Sequence, residues 1–227
     1  MKKIFFYLII CLSVLSCSKN DDDKDSVAQN NASANSYWPL KMGNEWNYVL
    51  QNGNQTRNIK VNERDVYQNR EYFKVGTQDI SGTTIPLFTR EDLGVFTMYL
   101  PETELNYQTF KVKSSPGVIK FIDTNLNPTI NWQDQMELAL SITLAGTLNV
   151  KHVGKVIENN VNTININNVE YNDVIKVETT QTITNQFTNL DVTYKYVYWL
   201  AKGIGPIHIE VTDTSGTEIY ELTSYSF

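Results

Sequence analysis

From Asn44 onward the chain alternates short runs of β-branched and aromatic residues with clusters of Asn, Gly, Asp and Pro. Such runs are typical of strands and such clusters of turns, whereas helical periodicity is nearly absent. The pattern therefore predicts about a dozen strands. In chain order these are Glu45–Gln51, Arg57–Asn62, Glu71–Gly76, Gly94–Leu100, Tyr107–Lys113, Val118–Ile122, Ser141–Val150, Val161–Asn167, Asp173–Thr184, Asp191–Leu200, Ile207–Thr212 and Glu218–Tyr225.

Turn signals and one short periodic segment refine this picture. The Asn-Gly pair within Gln51–Asn54 tolerates positive φ and predicts a tight hairpin, and Asp213–Gly216 predicts another near the end. Neighbouring strands should therefore pair antiparallel. The segment Trp132–Leu140, with apolar residues four apart and Asn131 as its cap, is the helix candidate.

So many strands in one chain exceed a comfortable flat sheet, so the sheet must curl or split. We predict an all-β domain over residues 37–227, built as a single antiparallel, strongly curved sheet with little helix. The sequence leaves half-barrel, barrel and sandwich open. Residues from Tyr37 onward are ample for one hydrophobic core, so a single domain is expected.

An aromatic stripe marks one of the predicted strands. Tyr194, Tyr196 and Tyr198 alternate with Lys195 and Val197, so the three rings share one face of a half-buried strand. Plain core packing is the usual role of such a stripe. The two alternatives are a wall of a lipid cavity and a platform for sugars.

The first residues have the pattern of an export signal. Lys2 and Lys3 precede the apolar run Ile4–Leu15, which is too short for a spanning helix. The junction that ends in Cys17 resembles the lipobox of bacterial lipoproteins, and the rival Cys11 follows a bulky isoleucine. The resemblance implies a signal peptide over residues 1–16 and acylation of Cys17 with chains such as palmitate, which would anchor the protein in a membrane.

Residues 17–36 are predicted to form a flexible tether, because they are polar and contain a block of like charges. The segment Ser18, Lys19, Asp21, Asp22 and Asp23 resembles the signal that sends Bacteroidota lipoproteins to the outer face of the outer membrane. That resemblance implies a surface-exposed, lipid-anchored protein of the outer membrane. The block can also serve simply as a solvated tether.

Composition excludes some functions. The signal peptide contains two of the 19 basic residues and none of the 25 acidic ones, so its removal changes the net charge from −6 to −8. Since no basic stripe is present either, we expect no nucleic-acid partner. Both cysteines, Cys11 and Cys17, precede the predicted domain, which therefore has neither disulfides nor thiolate ligands.

Two motifs resemble an uncharacterised group of Bacteroidota surface lipoproteins. The first is Tyr37–Tyr48, read as YWPLKMGNEWNY, and the second is Trp199–Ile207, read as WLAKGIGPI. Members of the group look like curved antiparallel sheets reminiscent of lipoproteins that carry lipids in a half-barrel. Physically, Pro39 fixes the entry to the first strand, and the glycines of the second motif permit a bend.

Candidate catalytic and metal groups are sparse. His152 and His208 lie far apart and lack the spacing of metal ligands, so we expect neither a metal site nor a cofactor. The acid pairs Glu102/Glu104 and Glu91/Asp92 could serve a glycosidase only if they faced each other across a cleft.

Three functional hypotheses follow. The leading one is a non-enzymatic envelope protein that binds a lipid or another apolar ligand, or an envelope protein, on the face of Tyr194, Tyr196 and Tyr198. A glycan-binding module would instead expose Trp38 and Trp132 on an outer face. A hydrolase would bring at least two of its carboxylates together in one pocket.

Overall fold

A computed structural model describes residues 35–51, 53, 55–80, 83–107, 110–141, 146–187 and 189–227. The predicted signal peptide, Cys17 and the acidic segment from Ser18 to Asp23 lie outside these residues, as does most of the tether. Their roles therefore stay predictions.

The described residues form fifteen strands and no helix. In chain order they are β1 (Glu45–Leu50), β2 (Thr56–Lys60), β3 (Arg64–Tyr67), β4 (Arg70–Ile80), β5 (Thr83–Asp92), β6 (Val95–Leu100), β7 (Thr103–Tyr107), β8 (Phe110–Ser114), β9 (Gly117–Asp123), β10 (Asn131–Ala139), β11 (Thr147–Ile166), β12 (Val169–Asn185), β13 (Leu190–Ala201), β14 (Gly205–Asp213) and β15 (Gly216–Ser226). Within the residues that the structure describes, no helix is long and apolar enough to cross a bilayer.

The prediction of an all-β, antiparallel fold is confirmed. The hydrogen-bonded strands are divided among three sheets instead of forming one continuous sheet. Eight strands follow the order β10-β11-β12-β13-β14-β15-β1-β2, five follow β3-β4-β5-β6-β9, and β7 pairs with β8. The sheets do not close into a barrel. Strand β9 of the five-stranded sheet lies against β10 of the eight-stranded sheet. There the Lys120 amide donates to the Asp134 carboxylate at 2.7 Å. The five-stranded sheet thus covers the inner face of the eight-stranded one.

The helix predicted over Trp132–Leu140 is wrong, because this segment is strand β10 and pairs with β11. A spacing of four residues fits a helix, but it also fits two periods of a strand. The inner face of β10 carries Trp132, Met136 and Leu138, all buried. Gln133, Gln135 and Glu137, which alternate with the inner-face residues, are exposed, so the period is two.

Strand β11 runs unbroken where the sequence predicted two separate strands. Polar and glycine residues between Val150 and Val161 suggested a gap, yet His152, Gly154 and Val156 continue the inward face. Register shifts after Val156 absorb the irregular part. Trp132 on the paired strand covers Gly154, where an added Cβ atom would overlap the indole ring. The glycine is therefore a packing surface for an aromatic residue.

The two sequence motifs meet in space. We call residues 36–48 together with residues 201–206 the clasp. The indole N–H of Trp46 donates to the Ile204 carbonyl at 2.7 Å, and the Tyr48 hydroxyl donates to the Pro206 carbonyl at 2.9 Å. The Gly203 amide donates to the Ser36 carbonyl at 2.7 Å. These bonds attach the start of the domain to the turn between β13 and β14.

Gly205 is the tightest point of the clasp. Its φ is +115°, and a Cβ atom there would lie 2.9 Å from the Trp46 indole nitrogen and 3.2 Å from the Trp38 ring. The two indoles pack edge to face with centroids 6.4 Å apart. A side chain at this position would therefore be strained in its backbone and would displace a buried ring.

Replacing Gly205 by alanine should destabilise the domain by about 3 kcal/mol, from backbone strain plus overpacking against Trp46. Gly43→Ala is the matched control, because φ is +93° there and no atom lies within 4 Å of the added Cβ. It should destabilise by only about 1–2 kcal/mol. Urea unfolding measures both, and equal losses would show that the contact with the indoles is unimportant.

Candidate functional site

A cavity of about 80 Å³ lies between the two larger sheets. Its wall on the eight-stranded sheet comes from β2 and β11–β14, and its wall on the five-stranded sheet comes from β4, β5, β6 and β9. The apolar members of the lining are Ile59, Val75, Leu87, Met98, Phe121 and Ile209. The interior thus combines a packed core with one apolar void, the setting in which small-molecule sites are usually found.

A larger depression of about 280 Å³ lies on β10, β11 and β12. Many of the side chains at its edge are polar, as with Gln135, Lys151 and Thr182. Because it offers few apolar walls and no enclosure by a second sheet, the smaller cavity is the better candidate site.

The tyrosine stripe of β13 runs from the partly exposed Tyr194 to the lining of the cavity. Tyr194 and Tyr196 are half-buried and Tyr198 is buried. Their rings stack in a column, with centroids 6.3 Å and 6.0 Å apart. Tyr196 and Tyr198 line the cavity, whereas Tyr194 packs on the column above them. The structure therefore brings two of the three predicted ligand-face residues to the site, while their contact with a ligand stays a prediction.

The floor of the cavity is aromatic and is held by the clasp. Trp38 lies 6.4 Å from Tyr198 and 6.3 Å from Phe96, measured between ring centroids. Phe121 completes this end, 5.5 Å from Tyr198. Because Trp38 belongs to the first sequence motif, the clasp determines the position of the floor.

Several residues that line the cavity have buried polar atoms without a hydrogen bond. These atoms are the Trp38 indole nitrogen, the Thr89 hydroxyl and both ring nitrogens of His152. Native interiors contain few such atoms, since each unpaired group loses about 1–3 kcal/mol of solvation. Ordered water or a bound molecule is the usual way in which such groups are satisfied.

His152 is neutral in the folded protein. Burial lowers the pKa of its imidazole to about 4, and Asp134 and the backbone of Phe121 oppose this effect only in part. The Phe121 backbone is near the ring, but it does not reach normal hydrogen-bond geometry. A neutral imidazole offers one donor and one acceptor, so His152 can bind either kind of polar group.

The partly exposed lining residues mark the mouth of the cavity. Arg57, Leu87 and Tyr196 are half-buried, and Thr77 is exposed. Burial raises the pKa of the Tyr196 hydroxyl and that of the Tyr198 hydroxyl, so both hydroxyls are neutral. Among the lining residues that the structure describes, Arg57 is the one positive group, and it lies beside neutral phenols.

Both tryptophans proposed for sugar binding are buried, which contradicts the prediction that they lie exposed on an outer face. Trp38 is 3% exposed and Trp132 is 5% exposed. Trp46 is wholly buried in the clasp. Trp199, the fourth, is half-buried between its two cross-strand neighbours: the Lys176 ammonium lies 4.7 Å from the ring centroid, and the His208 ring stacks at 4.1 Å.

The acid pairs do not converge on a cleft. Glu102 and Glu104 are exposed and bind Lys113 at 3.1 Å and Lys111 at 2.6 Å.

Glu91 and Asp92 are neighbours on β5 with different partners. Glu91 is buried and accepts a hydrogen bond from the Ser36 hydroxyl, and burial raises its pKa. Asp92 is half-exposed and pairs with Arg90 at 2.6 Å. Neither pair has the geometry that the hydrolase hypothesis requires.

Neither histidine belongs to a metal-ligand cluster in the part of the chain that the structure describes. His208 instead lies beside Glu210, with 3.1 Å between its Nε2 and the carboxylate.

The sequence analysis missed Arg57, Thr89 and His152 as cavity residues. Arg57 lies in a predicted strand, two residues before an inward-facing isoleucine. Strand alternation puts both side chains on the same face, so the sequence did contain a signal for Arg57. Thr89 lies on β5, which was not predicted. His152 lies in the part of β11 that was taken for a break between strands.

No family model matches the chain, and no curated protein matches it. The fold search finds a candidate lipoprotein from Parabacteroides distasonis, 12% identical, covering 84% of this chain and 98% of its own, with a TM-score of 0.47. It also finds a candidate exported protein with a YmcC-like fold from Bacteroides fragilis, 13% identical, with the same coverages and a TM-score of 0.46.

The buried His152 should make the domain less stable in acid. The unfolded chain, with a histidine pKa near 6.5, binds a proton more tightly than the folded protein does. Stability is therefore lost as the pH falls from about 6.5 to about 4. We expect a loss of about 3 kcal/mol between pH 7 and pH 4 that His152→Gln lacks. Urea unfolding at each pH measures it, and identical pH profiles for the two proteins would contradict the assignment.

Proposed function

We propose that this chain is a lipid-anchored envelope protein whose all-β domain binds an apolar ligand in the cavity between its two larger sheets. The function is binding and not catalysis. The observation that carries the proposal is the cavity itself: apolar walls, an aromatic floor and a few buried polar atoms without protein partners.

The volume limits how much of a ligand can enter. An engineered apolar cavity of about 150 Å³ takes up benzene, and the cavity here is smaller. The end of an alkyl chain or a small apolar group therefore fits inside. The rest of the ligand would lie along Tyr196 at the mouth, where a half-buried ring offers further apolar contact.

The unpaired polar atoms of the lining residues support an occupant. Trp38, Thr89 and His152 together offer two donors or more and at least one acceptor, all buried. A polar group on the ligand, or water that it retains, would satisfy them. Without an occupant each would remain an uncompensated loss of hydration.

The cellular location of the protein is proposed from its N-terminal sequence. We infer cleavage after residue 16, acylation of Cys17 and attachment to the outer membrane, with residues 17–36 as the tether. The acidic segment that begins at Ser18 and Lys19 favours display on the cell surface. Membership of the Bacteroidota lipoprotein group is part of this proposal, and it is supported by the two motifs that form the clasp.

Replacing Cys17 by alanine should abolish both incorporation of radiolabelled palmitate and recovery of the protein in outer-membrane fractions, because the acyl chains are its attachment. Cys11→Ala is the matched control and should change neither. Labelling that persists in the Cys17 variant and disappears in the Cys11 variant would overturn the assignment.

Ligand entry can be tested with 8-bromooctan-1-ol, whose terminal bromine quenches tryptophan fluorescence at short range. With the acylated protein in phosphatidylcholine nanodiscs, quenching should saturate as the bromine reaches Trp38. Thr77→Phe, which narrows the mouth, should weaken the apparent affinity at least fivefold. Thr147→Phe places the same ring on an exposed site of β11 and should leave the affinity unchanged. Unsaturable quenching that is identical in all three proteins would refute the proposal.

A further inference from the structure

Arg57 projects its charge inward from a strand at the edge of the eight-stranded sheet. On β2, Thr56, Asn58 and Lys60 are exposed, whereas Ile59 is buried and Arg57 is half-buried. The alternation puts Arg57 and Ile59 on the inner face, where both line the cavity. A charged residue at an inward position is unusual, because burial of its charge is unfavourable without a partner.

Within the described residues, no carboxylate lies within 4.0 Å of the Arg57 guanidinium. Its contact is with the Tyr220 ring, 5.3 Å from the centroid. Two other arginines of the fold are compensated, since Arg64 binds Glu71 and Arg90 binds Asp92, each at 2.6 Å. The charge at the mouth is therefore available to a ligand.

The groups around Arg57 favour an anion there. Its field lowers the pKa of Tyr196, Tyr198 and Tyr220 against the larger effect of burial, so the guanidinium lies near these rings. The Tyr196 and Tyr198 hydroxyls stay neutral and can donate hydrogen bonds, whereas the Tyr220 hydroxyl already donates to Glu218 at 2.7 Å. An anionic group beside Arg57 would thus meet a planar cation together with hydroxyl donors.

We propose that the ligand is an anionic amphiphile, which places a short apolar tail in the cavity and a carboxylate or phosphate group against Arg57. This inference rests on the proposed function and specifies its ligand class. The guanidinium presents several N–H donors in a planar fork that matches both oxyanions. The net negative charge of the chain repels anions at long range. The preference of the protein for an anionic ligand must therefore come from the local contact with Arg57.

The test compares 8-bromooctanoate with 8-bromooctan-1-ol, which share a tail and differ in the head group. In phosphatidylcholine nanodiscs, the acylated wild-type protein should bind the carboxylate at least tenfold more tightly than the alcohol. Arg57→Gln should remove this preference, so that the two probes bind the variant with equal affinity. Arg64→Gln removes an equal charge from an exposed site on β3 and should keep the preference.

The outcomes separate this inference from the proposed function. If the wild type binds both probes with equal affinity, the cavity binds apolar tails but Arg57 does not select the head group, and the inference fails alone. If neither probe quenches saturably, the proposed function fails with it. A preference for the carboxylate that survives in Arg57→Gln would also overturn the assignment of Arg57.

The carboxylate and the phosphate are distinguished by a third probe, 8-bromooctyl phosphate. Tighter binding of the phosphate than of the carboxylate, lost in Arg57→Gln, would identify phospholipid-like head groups as the source. Tighter binding of the carboxylate would identify fatty-acid-like ligands. Either ranking supports the proposal if it depends on Arg57, and a ranking that is the same in Arg57→Gln contradicts it.

Discussion

The contact between the N-terminal segment and the β13–β14 turn is the constraint on which the site depends. Trp46 and Tyr48 donate to backbone carbonyls of that turn, so two large aromatic residues are buried with their polar atoms satisfied. Gly205 lets the turn approach them. The same clasp holds Trp38 over the inner sheet face, where it closes one end of the cavity. Residues near the two ends of the domain thus determine the shape of its interior.

The interior shows a trade-off between packing and binding. At Gly205 in the clasp, the two indole rings pack edge to face and leave no room for a Cβ atom. A few ångströms away, the cavity leaves Thr89 and His152 with buried, unpaired polar atoms. A domain selected for stability alone would fill this space with apolar side chains. Binding sites retain such groups because they are satisfied only in the complex.

The sequence predicted the strand class, the antiparallel pairing of the strands that flank each predicted hairpin turn, and the shared face of the tyrosine stripe, because each depends on local period or turn chemistry. It failed at Trp132–Leu140, where a four-residue spacing suits both a helix and a strand and only pairing with β11 decides. The cavity was beyond sequence reasoning for a different reason. Arg57 and His152 are about a hundred residues apart, and the pairing of β2, β11 and the second sheet that brings them together leaves no local signal.

The central claim is that the cavity holds an amphiphile in the living cell. Native mass spectrometry of the protein taken from its own envelope, in polymer-bounded membrane discs without detergent, tests this most directly. The account predicts an additional mass on the acylated chain, one that dissociates as an anion bearing an alkyl tail. A spectrum that shows only the acylated chain, from wild-type protein at native abundance, would contradict it.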